Sequence, residues 1–156
     1  MILIALGANL PSPTYGAPQQ TLGAALARLA DGDCKIIMCS SWYQTKPVPV
    51  SDQPDFIKAV ASLETTLDPV ALLAWLRHTE EEMGRVRSVP NAARIIDLDL
   101  LAYHNVVRTA YDAPPELPHP RMGERRFVLE PLCEIAPEWR HPVSGMTARD
   151  MLAALG

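Results

Sequence analysis

Two aspartates separated by a single residue are the feature of this sequence best suited to chemistry. Asp97 and Asp99 lie within the segment Ile95-Ile-Asp-Leu-Asp-Leu-Leu101, whose other residues are apolar. Such a segment predicts a buried strand, and residues two apart in a strand project from the same face. Two ionised carboxylates held together repel unless a cation lies between them, and Mg²⁺ prefers carboxylates, water and substrate phosphates as ligands. The pair indicates a metal–phosphate site, although capping or surface roles explain most such pairs.

Arginine side chains are concentrated around these carboxylates. Those between positions 85 and 126 include Arg85, Arg87, Arg94, Arg121, Arg125 and Arg126. Arginine binds phosphate oxygens bidentately, and cations beside a divalent metal are what phosphoryl transfer requires. A solvated basic face is the alternative interpretation. The sequence has no Gly-x-x-x-x-Gly-Lys-[Ser/Thr] loop and no protein-kinase signature, so any ATP is bound in another way.

His119 is the third candidate, because it lies between two prolines and close to Arg121 and Arg125. The prolines hold its backbone stiffly. A lone histidine is more often a structural hydrogen-bonding residue than a site residue. The neighbouring arginines favour a contact with phosphate.

The composition excludes several classes of protein. The chain has 156 residues and a formal net charge of -4, which argues against a nucleic-acid binder. No apolar run approaches the ~20 residues that span a bilayer, so we expect no membrane association. The first residues lack the basic region of a signal peptide. The three cysteines form no metal-binding cluster. We therefore expect one domain over residues 1–156, monomeric, in the reducing cytoplasm.

Sequence signals mark the beginning or end of three predicted helices. Apolar residues at positions 22, 25, 26 and 29 have helical spacing, and this helix is expected to stop near Asp31. Asp68 before Pro69 predicts the start of a second helix, which ends at Gly84. Thr147 is the predicted N-cap of a terminal helix through Leu155. Of the glutamates in the last turn of the second helix, positions 81 and 82 are expected to be solvated, and the alternative is that one of these glutamates meets the arginines just downstream.

Residues 56–64 show the clearest strand pattern. Alternation leaves Phe56 and Lys58 on the face opposite the apolar set Ile57, Ala59, Ala61 and Leu63. Further strands are predicted over residues 2–6, 35–43 and 95–103, and a short helix with turns over 126–135. Without regular βαβ spacing, this order indicates an α+β fold: an antiparallel sheet with helices on one face, in a ferredoxin-like topology.

Six blocks of sequence occur in an order and spacing that coincidence does not explain. They are Ile4-Ala-Leu-Gly-Ala-Asn-Leu10, Ser41-Trp-Tyr-Gln-Thr45, Asp52-Gln-Pro54, Gly84-Arg-Val-Arg87, Arg94-Ile-Ile-Asp-Leu-Asp-Leu100, and Leu117-Pro-His-Pro-Arg121 with Phe127-Val-Leu129. Together they make the chain resemble the 6-hydroxymethyl-7,8-dihydropterin pyrophosphokinase family along nearly its whole length.

The resemblance implies an activity and a set of residues. The implied reaction transfers the diphosphate of ATP to the hydroxymethyl group of the dihydropterin, releasing AMP, in folate biosynthesis. Two Mg²⁺ ions would be held by Asp97 and Asp99, and Arg85 and Arg94 would be catalytic. The implied ATP-binding residues are Leu73, Glu80, Arg87, His119 and Arg125. The implied pterin-binding residues are Thr45, Pro47, Val48, Phe56, Lys58 and Phe127.

The chain departs from the family pattern in two places. Lys58 replaces the usual asparagine, which hydrogen-bonds the pterin; an ammonium offers only donors, whereas an amide also offers an acceptor. The loop from Ser88 to Arg94 is a residue shorter than in many relatives and lacks their Trp-Gly-Pro sequence, so we expect the lid over the pterin to be built differently.

Two other hypotheses accompany the dihydropterin pyrophosphokinase. One is a diverged paralogue that diphosphorylates another hydroxymethyl heterocycle, with Lys58 as its main support. The other is a non-catalytic binding module, since ferredoxin-like domains often bind ligands without chemistry. The Asp97 and Asp99 pair argues against the module, which would have little use for two repelling carboxylates.

Overall fold

The computed structural model describes residues 1–86, 92–109 and 111–156 of the chain. Arg87 and residues 88–91 of the predicted lid loop lie outside the described residues. The elements in chain order are β1 (Ile2–Ala8), α1 (Pro18–Ala30), β2 (Cys34–Cys39), β3 (Tyr43–Thr45), β4 (Phe56–Thr65), α2 (Pro69–Glu82), β5 (Asp97–Tyr103), α3 (Arg126–Ile135) and α4 (Ala148–Ala154). None of the helices within these described ranges is long and apolar enough to cross a membrane.

The helix ends follow from local chemistry. The Asp68 carboxylate accepts a hydrogen bond of 2.8 Å from the backbone N–H of Ala71, which caps the start of α2. Gly84 has a φ of +95°, a left-handed conformation that ends the same helix and that side chains disfavour. The Thr147 hydroxyl accepts from the backbone N–H of Asp150 at 3.1 Å and caps α4. These three predictions are confirmed.

The sheet has the strand order β2-β4-β1-β5, with all these neighbours antiparallel. The short strand β3 pairs with the start of β4. Helix α1 connects β1 to β2 and α2 connects β4 to β5, and in each case one other strand lies between the two that are connected. This arrangement confirms the predicted ferredoxin-like α+β topology.

Helices cover both faces of the sheet, so the expectation of helices on one face was wrong. One core packs α1 and α2 against the sheet face that carries Ile4 and Ala61. A second core packs α3 and α4 against the face that carries Leu3, Val60 and Leu101. The reason is that β1 is apolar on both faces, and a sheet with two apolar faces has to bury both.

Two predicted elements also differ in detail. The predicted strand over residues 35–43 is not continuous: β2 ends at Cys39, and a separate strand, β3, begins at Tyr43. Residues 126–135 form a ten-residue helix without turns, α3. This helix matters for the site, because it brings Phe127 over the sheet face on which Lys58 lies.

Candidate active site

One row of residues across the sheet forms the base of the site. Tyr43 of β3 pairs with Lys58 of β4, Lys58 pairs with Gly7 of β1, and Gly7 pairs with Asp97 of β5. Directly opposed residues of antiparallel strands project from the same face. Lys58 and Asp97 therefore flank Gly7, which has no side chain to fill the space between them.

The next row places Asp99 on the same face. Asp99 pairs with Ala5 of β1, so a methyl group is the only side chain beside it on that strand. Burial and the charge of Asp97 raise the pKa of Asp99 to about 6, while the charge of Lys58 opposes the rise. The predicted convergence of Asp97 and Asp99 thus follows from the pleat of β5, and small residues on β1 leave the carboxylates accessible.

Arg85 is held between two carboxylates just beyond the end of α2. Its Nη1 atom donates to Asp97 Oδ1 at 2.7 Å and also to Glu80 Oε2. Glu80 is fully buried and accepts a further bond of 2.8 Å from the backbone N–H of Leu98. Burial raises the pKa of Glu80, whereas this backbone bond and the charge of Arg85 lower it. The buried Glu80 therefore holds Arg85, a predicted catalytic residue, in position by a hydrogen-bonded ion pair.

Arg94 approaches the same aspartate from the other side. Its Nη1 atom lies 3.1 Å from Asp97 Oδ2, so both carboxylate oxygens of Asp97 have an arginine partner. The backbone N–H of Arg94 donates to Asn9 Oδ1 at 2.9 Å. Asn9 is 2% exposed, and its Nδ2 group donates to Gln53 and to the carbonyl of Pro54. Asn9 thereby connects the end of β1 to the segment that carries Arg94.

His119 is neutral over the physiological range. Burial, Arg125 and Arg121 lower the pKa of His119 to about 4. Its Nδ1 atom accepts a hydrogen bond of 3.1 Å from the backbone N–H of Arg121. Because Nδ1 is an acceptor, the proton of the neutral ring lies on Nε2. His119 lines the cavity, and this tautomer makes it a hydrogen-bond donor suited to a phosphate oxygen.

A slot bounded by aromatic rings adjoins the carboxylates. The Nζ atom of Lys58 lies 4.4 Å from the ring centroid of Phe56 and 4.6 Å from that of Phe127. Thr45 pairs with Phe56 at the same end of the sheet. Its hydroxyl is buried and makes no hydrogen bond within the described residues. We call Thr45, Phe56, Lys58 and Phe127 the acceptor slot.

The slot and the carboxylates open into one cavity of about 740 Å³, the size of a small-molecule pocket. The predicted site residues that line it are Thr45, Val48, Phe56, Lys58, Arg85, Arg94, Asp97, Asp99, His119, Arg125 and Phe127. Its described lining does not include Pro47, Leu73 or the buried Glu80. The assigned roles of all these residues stay predictions.

Several residues that sequence reasoning missed also line the cavity. The basic ones are Lys46 and Arg77, and Glu124 is acidic; Arg126, already named in the arginine cluster, also lines the cavity. Arg77 follows Leu73 by four positions on α2, so both lie on one side of that helix. That spacing was a signal in the sequence. Counting Arg121, the described lining carries eight basic side chains against three acidic ones, which suits a polyanion.

The donor set of the carboxylate pair fits Mg²⁺. Asp97 and Asp99 supply the oxygen ligands that this ion prefers, and the raised pKa of Asp99 marks a carboxylate that a nearby cation would stabilise. No group of three or more potential protein ligands occurs among the described residues. The remaining positions around an ion would be filled by water and phosphate oxygens, as is usual for Mg²⁺.

Comparison with known proteins places the chain among pterin enzymes. Residues 3–137 match the family described as 7,8-dihydro-6-hydroxymethylpterin-pyrophosphokinase (HPPK). The 2-amino-4-hydroxy-6-hydroxymethyldihydropteridine pyrophosphokinase of Haemophilus influenzae is 40% identical over 134 residues, covering 85% of this chain and 79% of that protein. The enzyme of the same name from Pseudomonas aeruginosa is 36% identical, covering 98% of this chain and 90% of its own length.

Other relatives are much longer. The folic acid synthesis protein fol1 of Pneumocystis carinii is 35% identical over 94% of this chain, which spans only 19% of it. A crystal structure of HPPK-DHPS from Plasmodium falciparum matches 98% of this chain with a TM-score of 0.73 at 15% identity, and the chain spans 42% of it. That likeness shows a shared fold. With the family match over most of its length and close relatives of similar size, the chain belongs to the 7,8-dihydro-6-hydroxymethylpterin-pyrophosphokinase family.

Proposed function

We propose that this chain transfers the β,γ-diphosphate of MgATP to the hydroxymethyl group of 6-hydroxymethyl-7,8-dihydropterin, a step of folate biosynthesis. The hydroxymethyl oxygen forms a bond to the β-phosphorus of ATP. The bond from that phosphorus to the α,β-bridging oxygen breaks, and AMP leaves with the electron pair. The hydroxyl proton passes to solvent.

The observation that carries this proposal is a single cavity whose lining brings Asp97 and Asp99 together with basic side chains and two aromatic rings. The seven basic side chains of the described lining other than Lys58 suit a polyphosphate, and the rings of Phe56 and Phe127 suit a flat heterocycle. The carboxylates lie where the two ligands would meet. Transfer from a nucleotide to a ring-bearing alcohol requires that the metal-binding carboxylates lie close to both the phosphates and the acceptor.

We assign roles to the chain's own residues on the same basis. Arg85 and Arg94 carry positive charge to the transferring group, where charge stabilisation provides most of the catalysis. His119 donates from Nε2 to a phosphate oxygen, and Arg125, whose guanidinium lies 5.5 Å from the Phe127 ring, spans the border between the two ligands. Two Mg²⁺ ions on Asp97 and Asp99 would neutralise phosphate charge and lower the pKa of the acceptor hydroxyl.

Glu80 has a different role in this proposal from the one that the resemblance implies. Because it is fully buried and bonded to Arg85 and Leu98, we propose that it positions Arg85 and does not itself contact ATP. The ATP contacts of Leu73 and Arg87, the monomeric state and the cytoplasmic location stay predictions.

The test identifies the nucleotide product. Purified protein is mixed with MgATP and the dihydropterin, and the products are separated by chromatography. We expect AMP and the pterin diphosphate in equal amounts. ADP as the product would mean transfer of the γ-phosphoryl group and would contradict the proposal.

A diverged acceptor is the second candidate, and Lys58 is the observation that favours it. The lysine occupies the slot in which the ring of the acceptor would lie. An acceptor other than the pterin would preserve the AMP-forming reaction and change only the second product.

A further inference from the structure

Two residues of the acceptor slot lie on elements that sheet pairing does not hold together. Thr45 lies on β3, a three-residue strand that pairs with the start of β4. Phe127 lies in the first turn of α3, which packs on the sheet through an apolar core that includes Val128 and Leu129. Apolar packing is not directional. It therefore does not by itself fix the rotation of the helix or the distance from Phe127 to β3.

The carboxylate of Glu134, near the end of α3, connects this helix to β3. Its Oε1 atom accepts a hydrogen bond of 2.6 Å from the hydroxyl of Tyr43. Its Oε2 atom accepts one of 2.9 Å from the backbone N–H of Ser41 and one of 3.1 Å from the hydroxyl of the same serine. We call Ser41, Tyr43 and Glu134 the Glu134 cluster. One side chain of α3 thus receives three hydrogen bonds from β3 and the residues that lead into it.

The protonation states of the Glu134 cluster favour these bonds. The hydrogen bond to Glu134 is the main reason that the pKa of Tyr43 is raised to about 12, and burial adds to the rise. The hydrogen bonds from Tyr43 and from the backbone of Ser41 lower the pKa of Glu134. At neutral pH the phenol therefore keeps its proton and donates it to a charged carboxylate, and such bonds are stronger than those between neutral groups.

Both ends of the Glu134 cluster lead to the acceptor slot. Glu134 follows Phe127 by seven positions, or about two helical turns, so the two side chains lie on the same side of α3. Tyr43 precedes Thr45 by two positions, so these two residues share a face of β3. The carboxylate therefore holds the side of α3 that carries Phe127 against the strand that carries Thr45.

We propose that Glu134 positions the acceptor slot: by holding β3 against α3, it sets the distance between Thr45 and Phe127. This inference rests on the proposed function, in which the slot binds the hydroxymethyl heterocycle. Glu134 does not belong to the described lining of the cavity. It acts through Tyr43 and Ser41 and takes no part in the transfer itself.

The Glu134 cluster should affect binding of the acceptor more than the chemical step. Arg85 and Arg94 contact Asp97 on β5, and strands β4 and β1 separate β5 from β3. Loosening one wall of the slot weakens the ring contacts equally before and during the reaction. A loss of that kind raises KM for the acceptor and leaves kcat unchanged.

The experiment measures AMP formation from MgATP and 6-hydroxymethyl-7,8-dihydropterin in the wild type and in Glu134→Ala. We expect KM for the dihydropterin to rise about fivefold or more in Glu134→Ala, with kcat within about twofold of the wild type. The affinity for MgATP, measured by calorimetry, should be unchanged. Tyr43→Phe removes one of the three hydrogen bonds and keeps the ring, so it should raise KM by a smaller factor.

Glu134→Gln should preserve the position of the slot. Its amide oxygen can accept both bonds from Ser41 and its amide nitrogen can donate to the Tyr43 hydroxyl, so KM should stay close to the wild-type value. Glu138→Ala is the matched control, because Glu138 is also an exposed carboxylate with a partner, Arg149, at 2.6 Å, but lies beyond the end of α3. It should leave KM unchanged. Urea denaturation should give Glu134→Ala and Glu138→Ala similar stabilities, since exposed pairs contribute little.

Three results would overturn the inference and leave the proposed function standing. They are an unchanged KM in Glu134→Ala, an equal rise of KM in Glu138→Ala, and a rise in Glu134→Gln as large as that in Glu134→Ala. If the wild type forms no AMP from the dihydropterin while MgATP binds, the proposed function is wrong, and the inference is wrong with it.

Discussion

The guanidinium of Arg85 lies 2.7 Å from the carboxylate of Asp97, so a predicted catalytic arginine is paired with a predicted metal ligand. Arg94 contacts the second oxygen of the same carboxylate at 3.1 Å. Any cation that binds Asp97 has to compete with these two guanidinium groups. If the arginines contact the phosphates of the proposed MgATP, the carboxylate becomes free. Under the proposed function, these ion pairs would couple metal binding to nucleotide binding.

This coupling predicts the affinity of the protein for Mg²⁺ in the absence of nucleotide. Arg85→Met should bind Mg²⁺ alone several-fold more tightly than the wild type, because one competitor for Asp97 is gone. Isothermal calorimetry without ATP measures this directly. Arg28→Met, which removes an exposed arginine paired with Glu82, is the control and should leave the affinity unchanged. Equal affinities in all three proteins would mean that Arg85 does not compete.

Asp97→Ala should lower kcat by about a thousandfold or more, since it removes a proposed metal ligand and the anchor of two arginines. The fold should persist, because Asp97 is partly exposed at the start of β5. Circular dichroism and the rate of AMP formation test both statements. Asp33→Ala, at an exposed carboxylate of the turn before β2, should retain full activity. Undiminished turnover in Asp97→Ala would refute the metal assignment.

Neighbouring glutamates on α2 offer a matched pair of variants. Glu80→Gln keeps an acceptor for the Leu98 N–H but removes the charge that holds Arg85. We expect the free energy of unfolding to fall by about 1–3 kcal/mol and kcat/KM for MgATP to fall about tenfold. Glu82→Gln affects an exposed pair with Arg28 and should change stability by less than ~0.5 kcal/mol. Urea denaturation and steady-state kinetics distinguish the two, and equal effects would exclude a positioning role for Glu80.

Local periodicity was enough to predict the parts of the site that lie on β4 and β5. Alternation along β4 placed Phe56 and Lys58 on one face, and the same rule brought Asp97 and Asp99 together on β5. The start of α2 could also be predicted, because an N-cap residue hydrogen-bonds a backbone N–H only three residues along the chain. These features depend on residues that are close in sequence, so they can be predicted from the sequence alone.

Features that depend on distant partners were not predictable in the same way. In a run of three glutamates, nothing local marks Glu80 as buried; its partner Leu98 lies 18 positions away. Asn9 reaches Arg94 across 85 positions. The second helical layer was missed for a similar reason, since apolar alternation shows that a face is buried and not which helix covers it.

His119 should make stability depend on pH in the acid range. Its folded pKa of about 4 lies below the ~6.5 of an unfolded histidine, so the unfolded chain takes up the proton first as pH falls. The stabilisation is complete above pH 7 and is lost towards pH 4, amounting to about 2 kcal/mol between pH 8 and pH 5. Urea denaturation at the two pH values should show that much less pH dependence in His119→Gln than in the wild type. If stability depended on pH to the same extent in both proteins, the lowered pKa of His119 in the folded state would be contradicted.

Asn9 should affect the rate through Arg94 and stability through the loop that contains Pro54. Asn9→Ala leaves the Arg94 N–H and the Pro54 carbonyl without their partner, so we expect a loss of about 2 kcal/mol in the free energy of unfolding and a tenfold lower kcat. Asn9→Asp keeps the acceptor for Arg94 and replaces the amide donors by a carboxylate oxygen that faces the Pro54 carbonyl. If Asn9 positions Arg94, Asn9→Asp should lose stability but retain most of its kcat, measured well below the unfolding temperature. An equal loss of kcat in both variants would show that the rate follows the stability of the loop and not the position of Arg94.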